Sequence, residues 1–313
     1  MSSRQHPSLG IVDALAEAFR EPAAGPLRTQ VEMRNADGSP STLLVMPCSR
    51  AGGRFGLKLV TVSPGNAARG LPTVQAAYVL GTTGTGSFDA VMDGTTLTLR
   101  RTAAVSALAS RLLSNADARA LLVVGAGSMA MPLVLAHSAV RPIEEVRIWN
   151  RSSRRAEQLC EALRRDHGVQ ARATADLAEA TAWADIISCA TTSSEPLILG
   201  RHLRRGQHID LVGAYTPAMR ETDDEAVRRA RVFVDDRAAA LAEAGDLVQA
   251  LASGAITAAH VSADLGQLVR NEVTGRESPD DITLFKSVGL ALEDLAAAEL
   301  VLNADAGRAQ SSG

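Results

Sequence analysis

The stretch LLVVGAGSMA, residues 121–130, constrains the fold more than any other part of the chain. A continuous apolar run passes straight into Gly125-x-Gly127-x-x-Ala130, and the helical pattern SMAMPLVLAHSA follows. A strand that is apolar on every residue is buried on both faces, which is the environment of a parallel sheet covered by helices. The alternation continues through EEVRIWN, SRRAEQLCEALRRDHG, VQARAT, ADIISCAT, QHIDLVG and ARVFVDD. Residues 114–288 are therefore expected to form an α/β domain with a doubly wound parallel sheet.

The residues before it read differently. SLGIVDALAEAFR (8–20) starts with a Ser cap and shows helical spacing. The runs TLLVM, GLKLVTV, TVQAAYVL and FDAVMDGTTLTL are strand-like, and ADGS and MDGT each carry the Asp-Gly signal of a hairpin. Residues 1–98 thus predict a helix and an antiparallel sheet, with RRTAAVSALASRLLS (100–114) as a helix leading out. LFKSVGLALEDLAAAELVLNA (284–304) predicts one long helix returning to this first domain, so that 1–113 is completed by 289–313. Only the GRAQSSG tail is expected to be disordered.

Composition narrows the class. With 313 residues, 46% of them hydrophobic, two domains with full cores are expected. A net charge of −3 and the lack of a basic stripe argue against a nucleic-acid partner. Cys48, Cys160 and Cys189 are scattered and lack zinc spacing, so no metal site is expected. Their usage fits a reducing compartment, and no apolar stretch reaches the length of a membrane span. The expectation is a soluble cytoplasmic protein.

Gly125 and Gly127, between a strand and a helix, have the context of a dinucleotide site, where backbone N–H groups and the helix N-terminus receive a pyrophosphate. The second strand ends RIWNRSSRR. An acidic residue there would take a ribose 2′-hydroxyl, but this chain has Asn150, Arg151 and Ser152. Guanidinium and hydroxyl groups bind a 2′-phosphate, so NADPH is favoured, with NADH weaker. The competing interpretation, a solvated helix face, fits Arg155 better than Arg151.

The segments RFGLKLVTVSPGNAARGLPTVQAAYVL, MDGTTLTLRRTAAVSALAS, GAGSMA and LFKSVGLALEDLAAA, in this order, resemble the ornithine cyclodeaminase/μ-crystallin family over almost the whole chain. The resemblance implies a Rossmann domain and an α+β domain with a mixed sheet that pairs with its twin in a homodimer, with the active site in the cleft between domains. It places the family's carboxylate-binding basic residues on Arg28, Lys58 and Arg101, with Lys58 as the catalytic member, and its substrate-contacting threonine on Thr73. Tyr215 falls at a further substrate position. Thr102, Ser128, Met129, Cys189, Ala190, Thr191, Gly213, Ala214, Lys286 and Ser287 join the cofactor site; for Lys286 a structural role is equally open. Only two of the 32 Lys-plus-Arg residues are lysine, so Lys58 stands out as a compact donor that arginine did not replace. Arg101 could instead be a surface helix residue, although Arg100 suits that place better.

Two departures separate this chain from the family's cyclodeaminases. Those enzymes carry an acidic residue where TLLVMPC has Leu44, and an Asp where DLVGAYTPAMRETDD has Tyr215. Expelling ammonia calls for carboxylate bases, and both are missing. Glu221, Asp223 and Asp224 are expected to be exposed helix-start residues and not replacements. The resemblance then points to NADPH-dependent reduction of Δ1-pyrroline-2-carboxylate to L-proline and Δ1-piperideine-2-carboxylate to L-pipecolate. The alternatives are an ornithine or lysine cyclodeaminase with bound NAD, an alanine-type dehydrogenase, and an NADPH-dependent small-ligand-binding protein.

Overall fold

The computed structural model describes residues 7–21, 25 and 28–311. The chain opens with α1 (Pro7–Ala18), followed by strands β1 (Thr29–Arg34), β2 (Pro40–Ser49), β3 (Arg54–Val62), β4 (Val74–Thr82) and β5 (Phe88–Asp93), then the long helix α2 (Gly94–Leu113). Beyond it come β6 (Ala120–Val124), α3 (Ala130–Val140), β7 (Glu145–Trp149), α4 (Ser153–His167), β8 (Ala171–Ala173), α5 (Leu177–Trp183), β9 (Ile186–Cys189) and β10 (His208–Leu211). The last stretch holds α6 (Asp224–Arg229), β11 (Arg231–Val234), α7 (Arg237–Glu243), α8 (Gly245–Ala252), β12 (Val261–Asp264), α9 (Leu265–Val269), β13 (Thr283–Lys286) and α10 (Ala291–Ser311).

These elements form two compact units. One comprises 1–12 and 103–289, the other 13–102 and 290–313. The chain passes from one unit to the other within α1, within α2 and after Gly289; the sequence pattern put the second passage at the end of α2.

The larger unit holds an eight-stranded sheet in the order β12-β11-β13-β10-β9-β6-β7-β8, with every pairing parallel. The apolar run of β6 is used on both faces. Leu122 and Val124 join one core with Ile187, Ile209 and Val232, while Leu121 and Val123 join another with Val146, Ile148 and Leu163. Each such fully buried aliphatic side chain contributes roughly 1.5–3 kcal/mol relative to exposure.

The smaller unit holds a five-stranded sheet in the order β1-β2-β3-β4-β5. All its pairings are antiparallel, as hairpin signals require, where the family resemblance implies a mixed sheet. ADGS does close the β1–β2 hairpin, with Asn35 N–H donating to the Ser39 carbonyl at 3.0 Å. MDGT does not. Asp93 instead accepts from Thr95 N (2.9 Å) and Thr96 Oγ1 (2.6 Å), so this Asp-Gly starts α2. Side-chain oxygen on first-turn donors is a helix-start device, and it wins here over the hairpin.

The C-terminal segment is also corrected. Thr283–Lys286 is a strand inserted between β10 and β11, and the helix starts only at Ala291. Asp235 Oδ2 accepts the N–H groups of Val288 (2.7 Å) and Gly289 (2.6 Å), which turns the chain between the two elements. The helix then runs through Ser311, so most of the tail expected to be disordered is helical, favoured by its alanines. No helix among the described residues is long and apolar enough to cross a membrane.

Candidate active site

In the larger unit the C-terminal ends of β6, β9 and β10 converge. Gly125 has φ +112°, and a Cβ there would meet the Ala190 carbonyl at 2.7 Å, so only glycine permits this approach. At Gly127 a Cβ would meet nothing within 4 Å, leaving open space over the turn. Ser128 is exposed, Met129 is half-buried, and α3 begins with no side-chain cap. In its first turn Ala130 N donates to the Gly127 carbonyl (3.1 Å) and Leu133 N to the Met129 carbonyl (3.0 Å), so a dinucleotide pyrophosphate would fit at the exposed glycine turn before the helix, facing the positive end of its dipole.

Asn150 closes the turn after β7. Its Oδ1 accepts from Ala126 N at 3.3 Å and its Nδ2 donates to the Ser152 carbonyl at 3.1 Å. Asn150 therefore ties the glycine turn to the start of α4. Arg151 and Ser152 are exposed beside it, and the Ser152 hydroxyl makes no capping bond.

Behind these turns lies a buried set of charges that the sequence did not disclose. Glu221 is fully buried, correcting the expectation that it is an exposed helix-start residue. Its Oε1 accepts from Thr191 N (2.7 Å) and Thr191 Oγ1 (2.8 Å). A Cβ on Gly213 would meet that same oxygen at 2.5 Å, so the carboxylate packs directly on the turn after β10. Asp246 Oδ1 accepts from Glu221 N, Thr222 N and Thr222 Oγ1. Burial and the neighbouring Asp246 push the Glu221 carboxyl up to about 7. Asp223, by contrast, does start a helix, capping α6 through Ala226 N.

Lys286 is also fully buried. Its ammonium donates to the carbonyls of Leu211 (3.1 Å), Gly213 and Ser287 (2.9 Å). Its three protons thus hold the chain turns after β10 and β13. The Cys189 thiol is buried in the core and pushed well above its ordinary range by burial, and its carbonyl accepts from Val212 N (2.8 Å) and Gly213 N (3.3 Å). Ala190 and Thr191, just beyond it, are half-buried, and Ser287 is buried. Ala214 is buried with φ +50°, a strained conformation for a residue with a Cβ. Tyr215, directly after it, is 42% exposed.

In the smaller unit β3 places Lys58 opposite Met46 of β2 and Tyr78 of β4, on the face covered by α10. Leu44 pairs with Val60 one step along that face, so the missing family carboxylate would have stood beside Lys58. Lys58 and Arg101 are both buried, and both meet the first turn of α10. Lys58 Nζ lies 2.6 Å from Asp294 Oδ2, a close and buried ion pair. Arg101 Nε donates to Asp294 Oδ1 at 3.0 Å and Nη1 to Glu293 Oε2 at 2.5 Å. Burial, then the adjacent Arg101, lower Lys58 to about 8, against the pull of Asp294. Arg101 is thus no surface residue. Arg28 is half-buried just before β1, Thr102 is half-buried in α2, and Thr73 is exposed in the loop entering β4.

The sequence signal for Glu293 and Asp294 is a pair of adjacent carboxylates in LEDLAAA, in the first turn of a helix whose flanking positions there are apolar. Buried charges require partners, and such a pair asks for two cations.

Fold and site define a two-unit protein with a Rossmann-type dinucleotide domain and a second, antiparallel α+β unit. The chain belongs to the ornithine cyclodeaminase/mu-crystallin family, whose model matches residues 4–308. It is 43% identical over 296 residues to the Delta(1)-pyrroline-2-carboxylate reductase of Paracoccus denitrificans, covering 93% of this chain and 92% of that one. It superposes on the structure of the Thermococcus litoralis Delta(1)-pyrroline-2-carboxylate reductase in complex with NADH and L-proline, with TM-score 0.88, 33% identity, and 95% and 93% of the two chains covered. It also superposes on a lysine cyclodeaminase whose structure addresses recognition of L-lysine, L-ornithine and L-2,4-diaminobutyric acid, with TM-score 0.85 and 30% identity, covering 98% and 88%.

Proposed function

We propose that this protein reduces cyclic ketimine carboxylates, Δ1-pyrroline-2-carboxylate to L-proline and Δ1-piperideine-2-carboxylate to L-pipecolate, using NADPH in preference to NADH. It is an oxidoreductase acting on a C=N bond. The observation that carries the choice within the family is Leu44 on the sheet face of Lys58, together with Tyr215 at the family's Asp position. A cyclodeaminase needs carboxylates there to handle amine protons. We read Glu221 not as their replacement but as a structural group of the turn after β10, since it is fully buried, packs on Gly213 and accepts from Thr191 N and Oγ1. The names of the Paracoccus and Thermococcus relatives support the same choice.

Bound nicotinamide would supply a hydride to the imine carbon, while the imine nitrogen keeps the proton it enters with. The chain's own residues bind and orient the substrate. Lys58 directs one contact to Asp294 and keeps further N–H donors for a substrate carboxylate, with Arg28 and Arg101 contributing charge. Arg151 and Ser152 receive the 2′-phosphate of NADPH.

The protein acts as a homodimer in this proposal. One face of the five-stranded sheet lies under α10, and the other carries Val31, Phe88 (74% exposed) and Val91 (76% exposed). An apolar sheet face of this kind marks an association surface, here for a second copy.

The direct test is NADPH oxidation with pyrroline-2-carboxylate, piperideine-2-carboxylate, and pyruvate plus ammonia, alongside ammonia release from ornithine and lysine. Oxidation with either cyclic imine and no ammonia release is expected. Ammonia release by the native protein, without imine reduction, would overturn the proposal.

A further inference from the structure

Lys58 and Arg101 are two buried cations side by side, and nothing about their own chemistry keeps them there. Like charges repel in a low-dielectric interior, and burial alone favours a neutral amine. What opposes both effects is a pair of carboxylates, Asp294 first and Glu293 beside it. Asp294 gives Oδ2 to Lys58 and Oδ1 to Arg101, while Glu293 takes a second guanidinium nitrogen. The neighbouring groups on this face among the described residues are neutral or paired. Tyr78 and Cys48 are pushed up by burial and stay neutral, and Arg50 is paired with Glu299.

We propose that Asp294 is a positioning residue for the reaction: it keeps the Lys58 ammonium charged and aimed, while Glu293 holds Arg101 so that it does not claim both Asp294 oxygens. This rests on Lys58 meeting the substrate carboxylate. It also explains why a lysine survives in an arginine-rich chain. A guanidinium at 58 would reach both oxygens of Asp294 in a fork and displace Arg101.

With two lysines in the chain, labelling lysine with carbon-13 at Cε yields two resonances, and Lys286→Arg assigns them. In the native full-length protein the Lys58 signal should titrate near pH 8. In Asp294→Asn its midpoint should fall by about one unit or more, and kcat/KM for imine reduction near neutral pH should fall about tenfold or more. The alkaline limb of the pH–rate profile should move down with the NMR midpoint, a response that a merely structural residue would not produce. Asp294→Glu keeps the charge but moves it, and should hold the midpoint near native while kcat/KM still falls.

An unmoved Lys58 titration in folded Asp294→Asn would overturn the proposal, as would native kcat/KM in either variant. Should Asp294→Asn fail to fold, Asp294→Glu decides alone. Lys58→Ala, assayed in parallel, separates the two failures. Full activity there removes the substrate role of Lys58 itself, whereas lost activity there with a native Asp294→Asn overturns this inference only.

Discussion

The chain's two lysines are both buried, and their partners are of different kinds. Lys286 is held by three main-chain carbonyls at the ends of β10 and β13, so every proton of its ammonium is committed to the backbone. Among the described residues, the polar partner of Lys58 is a carboxylate, and burial beside Arg101 brings it near 8. A cation saturated by backbone is a clamp. A cation held against one carboxylate, with donors in hand, can receive an anion. Burial by itself therefore does not separate a structural lysine from a working one; the partners do.

The largest expected effect tests the clamp. Lys286→Met leaves three buried carbonyls without their donor and should cost about 3–5 kcal/mol of stability. Urea unfolding would measure it. A variant as stable as the native protein would dissolve the contrast between the lysines.

Glu221, beside that clamp, gives the next effect. Its folded value is raised from 4.5 to about 7, so the stability it contributes is fully present below 4.5 and is lost as pH rises through 7. Buried His208, lowered by burial from 6.5 to about 3, has the opposite sign: its contribution is present above 6.5 and lost as pH falls through 3. The difference between native and Glu221→Gln unfolding profiles isolates the Glu221 part. Identical slopes between about pH 5 and 7 would show that Glu221 does not titrate there.

The other lysine should respond in activity and not in stability. Lys58→Ala is expected to lower kcat/KM about tenfold to a hundredfold, with folding and NADPH binding intact, and Lys58→Arg should not restore it. Near-native turnover by the arginine variant would place Lys58 with Lys286 among structural residues.

The smallest effect lies away from both. Arg151→Ala should raise the KM for NADPH by roughly tenfold and leave NADH kinetics nearly unchanged, as loss of one charge-assisted contact implies. Equal use of both cofactors by the native protein would remove Arg151 from the site.

Much of the architecture was legible because it is written in local patterns. The apolar run of β6, the glycine turn after it and the alternating strands and helices are each decided by neighbours in sequence. Errors arose where distant groups decided. Thr283–Lys286 reads as helix with the apolar residues after it, yet β10 and β11 offer an unfilled ladder that turns it into a strand. Glu221 reads as a polar residue near a helix start, yet Thr191, thirty positions earlier, draws its carboxylate inward.

The sequence by itself determined the fold class and the glycine turn after β6, because backbone conformation and side-chain period are short-range properties. The tertiary structure decided charge. Asp294 and Glu293 stand more than 190 residues from Arg101. Whether a buried cation is a clamp or a working group depends on which oxygens the fold brings within about 3 Å of it, a distance that no spacing in the chain records.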